Sequence, residues 1–487
     1  MFSRHLIRLA SASLLLAFVP ARGDESNLWP FFVRHTDPTT GTATAEGLGP
    51  LLFARARPGE EQQGLRPVYM TTRTAEVTEG NILYPFFTWR QQADYRTFSF
   101  FQLVNTRADT TDAAHPDHRF DVWPFYFSRQ TDDPALNYRA LFPLVGEIRQ
   151  RFGRDRLSFV VFPLYLQTEK GGRQVTHAPW PFLRFIAGDG HTGFGFWPLY
   201  GQSARAGDYE HRFWLWPLGF KSVTNLADPE PEVKLGLLPF YSRDTGPGYI
   251  RENYAWPFFG YTHRTAPYRY DERRYLWPLL VQGRGDDRVV NRWAPLYTHS
   301  VIKGTDKTWL LWPLYRHQRW DADGVAQEKN QVLFFLWWSL EQRSLAHPAA
   351  APAHKTHLWP LFSSWDNGAG QRQVQALSPL EVFFPGNPTV RQLWTPLFAL
   401  YRYDRKSADT VRHALLWNAV TWQRTATTRE FHLGPLASVQ TDTRQQRLAL
   451  GSGLIGLRRK PGERTWRLFL FDFPTAAASK ADQATTP

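Results

Sequence analysis

One proline setting recurs nineteen times between Pro30 and Pro435, as in WPFY at Trp123, WPLY at Trp197 and Trp312, WPFF at Trp256 and WPLF at Trp359. The residue after the proline is Leu or Phe in every copy but one, Val68, and the residue before it is Trp in nine. Wider gaps hold copies without proline: TFSFFQLV around Phe101, LFFLWWSL around Trp337, ALLWNAVTW around Trp417, LALGSGLIGL around Leu454 and WRLFLFDF around Phe469. Counted together they make about twenty-four units of roughly nineteen residues, running from Asp24 almost to the end. A fixed period of this kind means one supersecondary unit, stacked on copies of itself.

Each unit has an apolar centre flanked by polar, β-tolerant residues, followed by turn chemistry: EKGGR at Glu169, DTGPG at Asp244, GRGDD at Gly283, KGTDK at Lys303 and DADG at Asp321. One strand and one turn per unit predicts an antiparallel meander of about twenty-four strands. Around Tyr275–Gln282 and Trp309–His317 both faces of such a strand are apolar at its centre. Proline donates nothing to a ladder, so its repetition predicts a bulge or bend that splits each unit into two short halves hinged at Trp-Pro.

Aromatic residues make up 16% of the chain, and aromatic and β-branched residues fill the apolar runs, which favours an all-β class. Arg4 and Arg8, the apolar stretch Leu9 to Val19 and Ala21-Arg22-Gly23 read as an export signal, residues 1–23. A single β-repeat domain is expected over 24–475 and a disordered tail over 476–487, since composition shifts nowhere between. No cysteine is present, so an exported chain has neither disulfides nor a lipid-bearing N-terminal Cys. The net charge of +13 falls to +10 without Arg4, Arg8 and Arg22. Export turns that basic balance toward anionic lipid, lipopolysaccharide or envelope polymers and away from nucleic acid.

An exported, cysteine-free meander with an even strand count and a final aromatic strand, WRLFLFDF, resembles the outer-membrane β-barrel class of Gram-negative bacteria. The resemblance rests on architecture and on the whole mature chain, with no family motif. It implies a large closed barrel in the outer membrane with a structural, pore or transport role. A propeller or a rolled or spiral sheet are the alternative architectures, and a soluble periplasmic or cell-surface module binding glycans or envelope polymers is the alternative function.

Residues with chemistry in them carry bland readings. GSGLIG at Gly451 matches a dinucleotide fingerprint, but LRRKPG follows where a helix is needed. His299 and His317 fall at corresponding places in two units, and His354 and His357 form H-x-x-H without a third ligand. The acid pairs Asp132-Asp133, Asp286-Asp287, Asp321 with Asp323 and Glu230 with Glu232 lie in turns, where Asp is favoured anyway. An enzyme would need an acid cluster in the long loops, Asp112 to Asp117 or Asp228 to Glu232. No catalytic, cofactor or metal residue is therefore assigned, no cofactor is expected, and the chain is read as not an enzyme.

Overall fold

The computed structural model describes residues 25–37, 40–109 and 116–471. The export-signal reading, the tail and Asp112 lie outside them. The described residues form 45 strands of four to eight residues and two short α-helices, Pro388–Leu393 and Thr395–Phe398. The all-β class and the antiparallel meander are borne out: within each of two compact units, strands ladder with their neighbours in sequence. The strand count is not: two strands, rather than one, fill each repeat.

The region between Pro295 and Pro313 shows why. The chain runs along Tyr297–Ile302, reverses at Lys303-Gly304 and returns along Thr305–Leu310. Leu311-Trp312-Pro313-Leu314 then reverses it again before Tyr315–Ala322. The apolar group is thus a hairpin loop, and the strands are the polar residues on either side. Lys303 and Gly304, like Phe152 and Gly153, take positive φ, the conformation of the tight two-residue hairpin turn.

The prolines sit neither in strand centres nor at bulges. The two short halves of each unit exist, but a full reversal joins them. Pro313 is the third residue of a turn closed by Leu314 N–H donating to the Leu311 carbonyl at 2.7 Å. Pro217, Pro239 and Pro257 repeat this at 2.8–3.0 Å, and all four X–Pro bonds are cis. Proline's missing N–H is no loss there, because that position owes the ladder no donor. Its carbonyl is used: Trp216, Trp256 and Trp312 donate their backbone N–H to the carbonyls of Pro198, Pro239 and Pro295 at 2.6–2.7 Å. Pro396 departs from the pattern, because it lies in the helix Thr395–Phe398.

The chain divides into two compact units. The first holds the described residues up to Gln92, then 324–327, and those from Phe335 onward. Its apolar core joins Phe53 and Met70 to Leu393 of the helix Pro388–Leu393, whose first turn is capped by the Asn387 side chain at Val390 N–H, 3.0 Å. In this unit the strand Glu25–Leu28 ladders with Phe32–Thr36, and the strand Arg467–Leu470 ladders with Ile455–Arg459. Among the described residues no ladder joins the first strand to the last, so closure into a barrel is without support.

The second unit holds residues 93–323 and 328–334, with a core of Phe127, Tyr138, Ala140, Ile148 and Phe159. One packing device recurs in both units: an aromatic ring lies over the glycine directly opposite it. Trp89 covers Gly80, Phe213 covers Gly201, Phe220 covers Gly236 and Phe469 covers Gly456. A Cβ on Gly201 would stand 2.2 Å from the Phe213 ring. Glycine alone leaves room there, and the ring shields the bare backbone in return.

Candidate membrane interface and charged interior

Apolar side chains gather at the proline turns and stay uncovered. Loops such as Leu215-Trp216-Pro217-Leu218 and Leu311-Trp312-Pro313-Leu314 contain no charged residue. In the second unit Phe240 is 71% exposed, Leu296 64% and Trp312 57%. In the first, Phe31, Leu361 and Leu436 are exposed as well. Neighbouring turns are held in line by the carbonyl ladder and by ring contacts, Phe142–Phe162 at 5.3 Å, Phe162–Trp180 at 5.5 Å and Trp197–Trp216 at 6.1 Å. Each unit therefore carries a rim of aligned, exposed aromatic and aliphatic loops. Patches of this kind mark interaction surfaces.

Polarity changes along the strands. Leu276 and Leu280 pair beside the proline turn, whereas Tyr270 and Gly285 pair at the far end next to Asp286-Asp287. Between them stand Arg273, Arg274, Gln282 and Arg284. A strand crossing a bilayer needs the reverse, an apolar middle about 25 Å tall between polar ends. Six residues span only about 20 Å. The apolar centre expected on both faces of a strand is in fact at one end, outside the ladder.

The first unit also has a charged interior. Cross-strand register aligns Glu25, His35, Thr44 and Arg55 in one row, and Asp404, Arg412, Gln423 and Glu430 in another. Arg412 joins the rows, donating to Glu25 at 3.0 Å and to Asn418 at 2.8 Å. Asn418 in turn donates to Glu46, which also accepts from Arg66 at 2.7 Å. The Glu25 side chain is wholly buried. Burial raises its pKa, but Arg412, His432 and His35 outweigh this and hold it at about 2. Desolvation, and then Arg412, push His35 down to about 4. A cavity of about 680 Å³ lies between these rows, with His35, Arg55, Arg66, Asp404, Arg412 and Gln423 in its wall.

The histidines and acids of the sequence reading fall apart in space. His299 contacts Asp306 at 3.0 Å, and His317 contacts Asn330 at 2.8 Å. His354 and His357 point to opposite faces of Ala353–Leu358: His354 is exposed, and His357 is buried against Trp338 and Ser363. Among the described residues no three His, Asp or Glu are placed to hold a metal. Asp133 caps Ala135 N–H within its own turn, and Asp286 accepts from Arg269 N–H of a neighbouring connection. Of GSGLIG, Gly451–Gly453 form a single 3-10 turn after the strand Gln446–Leu450, and Ile455 and Gly456 already belong to the strand Ile455–Arg459. No helix follows it to receive a pyrophosphate.

The charged interior went unread in the sequence, because nothing local couples Glu25 to a residue 387 positions away. No known family model matches the chain, and no curated protein matches it.

Proposed function

We propose that this is an exported, non-enzymatic protein of the bacterial envelope that seats its proline-turn rim in the outer-membrane lipid without crossing it. The carrying observation is the row of exposed Trp-Pro-Leu loops, free of charge and ordered by their own ladder. Trp and Tyr beside those loops suit the boundary between hydrocarbon and headgroup. Arginines follow within the strands, and the basic chain complements anionic lipid or lipopolysaccharide. Insertion of apolar side chains to about 5–10 Å is enough for stable interfacial binding. The role is structural; no pore is part of the reading.

Flotation of the mature chain with vesicles of anionic phospholipid tests it. Recovery with the vesicles in high salt is expected, since salt screens charge but leaves apolar insertion intact. A chain that stays behind and forms a concentration-dependent dimer would put a second copy on the rim instead of lipid.

A second reading, a soluble module for glycans or envelope polymers, is favoured by the polar cavity of the first unit. Fully soluble, monodisperse expression together with saturable glycan binding, lost on Arg55→Ala, would support it over the membrane reading.

A further inference from the structure

A second cavity, in the second unit, has a wall of unneutralised cations. It measures about 300 Å³ and lies over the sheet that runs from Tyr249–Tyr254 to Tyr297–Ile302. Arg251, Arg264, Arg288 and Arg292 line it, against one carboxylate, Glu272. Glu272 is already engaged: it accepts from the Arg274 guanidinium and from Tyr270 OH at 2.7 Å. Among the described residues none of the four lining arginines has a carboxylate within ion-pair distance.

Register explains how they meet. Arg264, Tyr270, Gly285 and Arg288 form one cross-strand row, and Arg251, Thr262, Glu272, Gly283 and Val290 form the next row on the same face. Thr262 and Val290 are buried floor residues. Gly283 makes room for the Tyr270 side chain, since a Cβ there would stand 2.3 Å from its OH. The guanidinium groups of Arg264 and Arg288 both rest on one ring, Tyr268, at 5.1 Å and 4.2 Å from its centre. Arg264 also lies over Tyr249 at 4.8 Å. The aromatic faces hold the two forks while leaving their N–H edges to another partner. Two guanidinium groups thus share one tyrosine ring with no acid between them.

We propose that this cavity binds a phosphoryl group carried on a sugar ring, with Arg264 and Arg288 as its bidentate donors and Arg251 and Arg292 completing the charge. Arginine forks match phosphoryl oxygens in pairs. The volume exceeds what a bare phosphate fills, and the Tyr270 ring in the wall offers a surface for a sugar. The inference does not rest on the membrane reading, because it uses strand residues and not rim loops.

Calorimetric titration of the mature chain with inorganic phosphate and with glucose 1-phosphate tests it, beside vesicles with and without phosphatidic acid. Saturable binding is expected, tighter for the sugar phosphate, and weakened about tenfold or more by Arg264→Gln with Arg288→Gln. The double Lys variant keeps the charge but loses the forks, and should bind at an intermediate level. If the Gln pair does not fold, the Lys pair decides alone. Arginine-dependent binding of the soluble ligands, tighter for the sugar phosphate, assigns a sugar phosphate; arginine-dependent binding only to phosphatidic acid vesicles, whose phosphoryl group carries no sugar, overturns the proposal. Absence of binding in every arm, or binding unchanged in both variants, overturns the proposal.

Discussion

Single residues divide sharply between those that hold the fold and those that do not. Glu25 and Arg412 form a buried pair whose loss on one side strands the other charge. Glu25→Ala should lower the unfolding free energy by roughly 3 kcal/mol or more, measured by urea denaturation. The same cluster sets an acid limit. Glu25 has a folded pKa of about 2 against an ordinary 4.5, so its contribution is complete above 4.5 and is lost as pH falls toward 2. His35 has a folded pKa of about 4 against 6.5, so the unfolded chain takes up its proton first. Stability should therefore fall from pH 6.5 to 4, and the decline should flatten in His35→Gln. A urea midpoint that is constant over that window would contradict the placement of His35.

Elements show the same contrast between rim and core. Ile148 is 3% exposed within an apolar cluster, and Ile148→Ala should cost about 2–4 kcal/mol. Leu296 and Phe240 stand on the rim, and changing either to Ser should shift stability by no more than about 0.5 kcal/mol. Gly201→Ala must displace the Phe213 ring and should cost about 1–3 kcal/mol. Thermal denaturation of the four variants checks the order. Equal losses for the rim and core variants would mean that the loops pack against something.

How far the sequence reveals this fold depends on which rule is applied. The period, the β class and the polar turns at Lys303-Gly304 and Asp323-Gly324 are legible, because turn chemistry and repetition are local. The strands were misplaced because apolar centres ordinarily mean buried strands, as Leu310 to Tyr315 suggests. In this chain that run is an exposed loop, and the strands are polar sequences such as Tyr297–Ile302. Proline is the clue that points the other way: at copies such as Pro217, Pro239, Pro257 and Pro313 it sits in a reversal and not at a bulge. The arginines around Tyr268 were invisible for another reason. They come from separate strands, and only the register brings them to one face.

At the scale of the whole molecule, polarity runs along the strands of each unit, with apolar loops at one end of them. It predicts shallow contact with lipid, by loops from many repeats at once. Tryptophan fluorescence of the mature chain on vesicles with bromine at defined depths along the acyl chain measures this directly. Quenching strongest at the shallow positions and weak at the bilayer centre is the expected result. Strong quenching at the centre would mean that strands cross the membrane, and no quenching at any depth would remove lipid from the rim altogether.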